Sequence, residues 1–174
     1  MAGFIHSKLD IKLLILYLAS RLAGPVDFPT LTDLTMCDDG VDYFQYAEAV
    51  SELIESGHIV QDGEMYAITE KGIRNISASE SSLSPVIRKR CDQRLLPLNN
   101  AIRRKAQVQA EVAETEAGDW TVRLSLTDDL APLFTLDLLA PSAETAQQIA
   151  EQFSLHPERV YNGILGVLLD DSKN

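Results

Sequence analysis

A chain of 174 residues has room for one domain or for two small ones, each with its own core. A hydrophobic content of 45% fits a globular protein, while a formal net charge of -11 argues against a general nucleic-acid coat or an anionic membrane surface as partner. Two cysteines, Cys37 and Cys91, with no CxxC pair, supply neither a disulfide framework nor a zinc site, so a reduced, cytoplasmic setting is expected.

Ser7 can cap a helix over residues 8–22 that Gly24-Pro25 ends. It is apolar almost all round (Leu9, Ile11, Leu13, Leu14, Ile15, Leu16, Leu18, Leu22), broken by Lys8, Asp10, Lys12 and Arg21. The run is shorter than the ~20 residues of a bilayer span and carries charge, so a buried helix is expected and no membrane partner. Cover on several sides is required. A second subunit is one source of it, which makes Leu13, Leu16 and Tyr17 candidates for a homodimer interface.

A short helical turn is expected over 29–36 and a loop over 37–40. Asp42 then caps a helix reaching to about residue 56, with Tyr46, Val50, Leu53 and Ile54 near one face and Gly57 as its left-handed stop. A hairpin follows: an apolar run from Ile59, an Asp62-Gly63 turn, a return over 65–69 and a Glu70-Lys71-Gly72 exit. Helix, short helix, helix and hairpin is the order of a helix-turn-helix with a β-wing.

Residues 77–84 lie in a serine-rich stretch (75–84) expected to be a linker or a frayed helix end, and the domain division takes 77–84 as linker. Ser84-Pro85 opens a helix over 85–106 with Ile87, Cys91, Leu95, Leu98 and Ile102 along one face and Pro97 as a kink. From Gln107 the period becomes two, giving three strands around Val108 to Val112, Trp120 to Leu126 and Phe134 to Leu138. Turns are expected at Gly118-Asp119 and over 128–132. Ser142 caps a helix to about 153, and Pro157 opens another ending near 169. The fold class is therefore α+β: a winged helix-turn-helix over 1–76, a linker over 77–84, a basic connecting helix over 85–106, and a βββαα unit with an antiparallel sheet over 107–174.

The segments KLLILYLASRL, VDYFQYAEAVSELIESGHI and YAITEKG, with the three-strand, two-helix tail, resemble an uncharacterised bacterial family of predicted winged-helix transcription regulators, itself a domain of unknown function. The resemblance covers nearly the whole chain and implies a winged-helix fold and a regulatory role.

Regulators of this kind place Arg or Lys on the third helix and the wing to meet phosphates and base edges. Here the outward positions of that helix are Gln45, Glu48, Ser51, Glu52 and Glu55, and no Lys or Arg lies between Arg21 and Lys71. Gln45 can read adenine in a bidentate way, with Ser51 beside it. Positive charge is gathered instead in Arg88, Lys89, Arg90, Arg94, Arg103, Arg104 and Lys105, opposed only by Asp92. This run is either a phosphate-contacting helix, with Lys8 and Lys12 as helpers, or a solvated helix face or partner for the protein's own acidic surface. Tyr43, Phe44 and Tyr46 are core residues, or groups that stack on bases or anchor a partner protein.

The loop Asp38-Asp39-Gly40-Val41-Asp42 lacks the alternating ligands of a calcium loop and is expected to be an Asx-type turn. His6, His58 and His156 are scattered, and no P-loop, GxGxxG, GxSxG or HExxH occurs. No catalytic residue, cofactor or metal site is expected. The resulting expectation is a homodimeric transcription regulator on double-stranded DNA; the alternative is a protein-interaction module on the same scaffold that binds no DNA.

Overall fold

A computed structural model describes residues 4–128 and 131–169. The chain divides into two compact units, residues 1–103 and 104–174. Across the described residues it is a mixed α+β protein with seven α-helices and two three-stranded antiparallel sheets.

In unit 1, helix α1 (Lys8–Arg21) begins with a capping box, in which Ser7 accepts from the Asp10 amide and Asp10 accepts from the Ser7 amide. Its residues Leu13 to Ala19 are all buried. The cover comes from the same chain: α2 (Phe28–Thr35), α3 (Tyr43–Glu55), α4 (Glu70–Ser79) and strand β3 (Met65–Ile68) all pack on α1. Leu13, Leu16 and Tyr17 are 8, 2 and 1% exposed, so they lie in the unit's own core. This corrects the expectation that they form a dimer interface. An all-round apolar helix needs cover, and folding supplied it without a second subunit.

Strand β1 (Val26–Asp27), β2 (Ile59–Asp62) and β3 form the first sheet in the order β1-β3-β2. The β2–β3 hairpin turns at Gly63-Glu64, with Asp62 paired to Met65 and Gly63 at φ 58°. Two elements differ from the sequence reading. β1 is too short for a periodic signal. α4, capped by Thr69 accepting from the Gly72 amide, occupies a stretch whose serines read as linker, and it buries Ile76.

The expected linker over 77–84 is occupied by the end of α4, a 3-10 turn (Glu80–Ser82) and the buried Leu83. Helix α5 (Pro85–Gln107) then sets Ile87, Cys91 and Leu95 into the same core as α1. Asn99 closes the exit of α1, accepting from the Ala23 amide at 2.8 Å and donating to the Arg21 carbonyl at 2.7 Å.

Unit 2 is the expected meander: β4 (Val108–Glu114), β5 (Trp120–Thr127) and β6 (Pro132–Ala140) in sequence order. Of the expected 128–132 turn, residues 129–130 lie outside the described residues. Val122, Leu124 and Leu126 are buried beneath α6 (Ala143–Leu155), whose Ala146, Ala150 and Phe153 face them. Phe134 is half-buried, edge-on to Phe153 and stacked on Tyr161 of α7 (Pro157–Leu169), each at 5.8 Å between centroids.

Candidate functional site

Asp42 starts α3 by accepting from the Gln45 amide at 3.0 Å. The helix turns Tyr46, Ala49, Val50 and Leu53 inward. Tyr46 is wholly buried, and its hydroxyl accepts from Thr32 Oγ1 at 3.1 Å. Burial is the main reason its pKa is pushed up to about 12. Tyr43, Phe44, Gln45, Glu48, Ser51 and Glu55 remain exposed. Tyr43 and Phe44 meet edge to face at 5.9 Å, and Phe44 is 80% exposed. Of the three aromatics, only Tyr46 is core.

The acidic side of α3 is partly neutralised from α1. Glu52 accepts from Lys8 Nζ at 2.6 Å and pairs with Lys12, while Lys8 also pairs with Glu48 at 2.9 Å. Hydrogen bonds from Lys12 and then Lys8 hold the Glu52 carboxyl below the usual carboxylate range. The expected helper cations are therefore committed to α3's own acids. The hairpin carries exposed Asp62 and Glu64, and Lys71 Nζ donates to the Ser56 carbonyl at 2.6 Å.

The basic run on α5 is not one surface of equivalent charges. Arg90 Nη1 donates to the Cys37 carbonyl at 2.8 Å and stands 3.3 Å from Asp38 Oδ2. Arg94 Nη1 donates to the Asp33 carbonyl at 2.7 Å. Arg88 pairs with Glu80 at 3.5 Å, and its buried Nε has no hydrogen-bond partner among the described residues. Arg104 pairs with Glu158 at 3.2 Å. Lys89, Arg103 and Lys105 are exposed, with no ion pair or hydrogen bond among the described residues. Of seven candidate phosphate contacts, four have partners inside the chain.

Asp38 is the residue whose role the sequence hid. Buried to 4% exposure, it accepts at Oδ1 from the amides of Phe4, Ile5 and Gly40 at 2.9, 3.2 and 3.1 Å. A Cβ on Gly40 would lie 2.2 Å from the Ile5 carbonyl oxygen, so only glycine lets the two backbones approach this closely. The acidic loop is thus a structural knot, as its Asx character indicates.

Two apolar concavities carry no constellation for catalysis. A cleft of about 200 Å³ in unit 1 is lined by Ala19, Leu22, Gly24, Val26, Tyr66 and Ile68, with no charged side chain among its walls. A groove of about 670 Å³ between α6 and α7 holds His156 and Arg159 at the edge of an apolar floor made by Val160, Ile164 and Val167. Among the described residues no three His, Cys, Asp or Glu side chains gather as a metal ion would require, and no helix is long and apolar enough to cross a membrane.

Residues 11–168 match the family model described as a domain of unknown function, DUF4364. The chain belongs to the DUF4364 family. The matched segment runs through both units, so the α5 basic run and the meander belong to the DUF4364 domain as much as α3 does. No curated protein and no solved structure matches the chain.

Proposed function

We propose that unit 1 is a winged helix and that the protein regulates transcription, with α3 as the helix that reads DNA and the β2–β3 hairpin as the wing. The observation that carries this reading is topological. The order is α1, β1, α2, α3, β2, β3, with β3 central in its sheet, and the side chains of Gln45 and Ser51 on α3 are exposed with no hydrogen-bond partner among the described residues. Lys8 and Lys12 reduce the repulsion that Glu48 and Glu52 would exert on phosphates.

Few cations remain for the backbone, so non-specific affinity is weak, on the order of 10⁻⁴ M at physiological salt. Fluorescence anisotropy on genomic fragments across a salt series tests the proposal. Specific binding lost in Gln45→Ala/Ser51→Ala supports it; no fragment bound at low salt ends it.

A regulator of this kind works on paired half-sites as a homodimer. With Leu13, Leu16 and Tyr17 of α1 buried, one available surface is α7, where Val167, Leu168 and Leu169 are 80, 74 and 75% exposed.

One observation favours the alternative, a protein partner for α3. The exposed Tyr43–Phe44 pair is the kind of aromatic anchor that dominates protein interfaces, and it stands beside acidic side chains. Under that reading Phe44→Ala abolishes capture of the partner, and DNA is never bound.

A further inference from the structure

Cys37 and Cys91, 54 positions apart in sequence, face each other across unit 1 with their sulfurs 3.8 Å apart. Their surroundings differ. Cys37, in the connection between α2 and α3, is half-buried and within reach of solvent; Cys91 is wholly buried on the core face of α5. Arg90 and Arg94, one turn apart on α5, bind main-chain oxygens on the segment that ends at Cys37, at Cys37 itself and at Asp33.

We propose that Cys37 and Cys91 form a redox-active dithiol that a hydroperoxide converts to an intramolecular disulfide. Cys37 is the attacking thiol and Cys91 the resolving one. The Cys37 thiolate attacks one peroxide oxygen, the O–O bond breaks, and the departing oxygen takes a proton and leaves as an alcohol or, from hydrogen peroxide, as water. Cys37 is then a sulfenic acid. The Cys91 sulfur attacks the Cys37 sulfur, the S–O bond breaks, and the hydroxyl departs with the Cys91 proton as water. The peroxide gains two electrons, and the two thiols together lose two electrons and two protons.

The division of roles follows from the environment. The hydrogen bond with Cys91, then the charges of Arg94 and Arg90, hold the Cys37 thiol below its ordinary range, against burial and the Asp38 carboxylate. The hydrogen bond to Cys37 and burial push the Cys91 thiol up, so it stays protonated until a sulfenic acid forms beside it. The more acidic thiol of the pair and the access to solvent coincide at Cys37, which a pair packed only as core would not require. A bonded pair sits at about 2.05 Å, so the sulfurs need to close by about 1.8 Å. Cys37 lies in an irregular connection, where such a shift does not break a helix. The disulfide would fasten the α2–α3 connection to α5. This inference holds whatever α3 binds.

The test is hydrogen peroxide on the native full chain, followed by thiol counting, intact mass and non-reducing electrophoresis. Both thiols should disappear together, with a mass loss of two hydrogens, a monomeric band and full reversal by dithiothreitol. Cys91→Ser should instead give a dimedone-trappable sulfenic acid at Cys37, and Cys37→Ser should leave Cys91 unreactive until the chain is denatured. Two thiols still free after peroxide has fully oxidised glutathione alongside, or disulfides only between chains, would overturn the proposal. The wild-type measurement decides by itself, so a variant that fails to fold leaves the test intact.

Discussion

Arg90 and Asp38 join the two ends of unit 1's sequence: the guanidinium on α5 stands 3.3 Å from a carboxylate that holds the amides of Phe4, Ile5 and Gly40. A charge that reads as a phosphate contact is thereby part of the fold. Arg90→Glu should cost on the order of 2 kcal/mol or more, because it sets a like charge against a buried carboxylate. Lys89→Glu, at an exposed position next in sequence, should stay within about 0.5 kcal/mol. Urea unfolding of the two variants makes the comparison, and equal losses would refute the structural role of Arg90.

Asp38 also predicts an acid limb. Burial works to raise its pKa, but the amides of Phe4, Gly40 and Ile5, then Arg90, outweigh it and hold the group below the ordinary carboxylate value. A pKa lower in the folded state gives stability that is present above the unfolded value of about 3.9 and is lost as pH falls below it. Asp38→Asn should be less stable than wild type at pH 7, and the difference should shrink as pH drops below about 4. Unfolding curves at a series of pH values measure this directly.

Tyr46 contributes to the opposite limb, as does Tyr17, whose pKa is likewise pushed up to about 12, chiefly by burial. With its pKa near 12 when folded, against about 10 unfolded, Tyr46 contributes stability in full below pH 10 and loses it as pH climbs toward 12. Tyr46→Phe should flatten that alkaline loss. Its cost at pH 7 should be about 1 kcal/mol, that of one hydrogen bond from Thr32.

In unit 2, Phe134→Ala should cost about 2 kcal/mol, below the ~3 to 5 kcal/mol of a fully buried phenylalanine, because the ring is only half covered. A loss under about 0.5 kcal/mol would mean that Phe153 and Tyr161 do not enclose it.

Light scattering separates the two surfaces considered for self-association. Leu16→Glu should unfold the protein, since the side chain is 2% exposed, whereas Val167→Glu should leave it folded and turn any dimer into monomer. A folded monomer from Leu16→Glu would restore α1 as an interface.

Periodic segments were legible in the sequence. The Ser7 and Asp42 caps, the β2–β3 hairpin and the meander from Val108 to Leu138 each follow from local patterns that tertiary packing did not overrule. α4 was not legible, because Ser77 and Ser79 carry a turn composition while Ile76 alone anchors the helix in the core. The candidate site was the hardest to read. That Lys8 answers Glu52, or that Cys37 touches Cys91, depends on contacts 44 and 54 residues apart, and no spacing rule reaches that far. The all-round apolar character of α1 demands cover, but composition does not say which chain supplies it.

Asn99 and the α5 residues Ile87, Cys91 and Leu95 give the protein an indivisible first half. The segment through residue 76 lacks both the stopper of its first helix and one wall of its core. Grafted onto another protein as a cassette, it would leave open to solvent the part of the core that Ile87, Cys91 and Leu95 close. Exchange of parts with other proteins, in the laboratory or over evolutionary time, would have to cut near residue 103, carrying the Arg90 contact and both thiols along. The basic helix is in this sense inherited with the whole first unit: wherever α3 is carried, the charges and sulfurs of α5 travel with it.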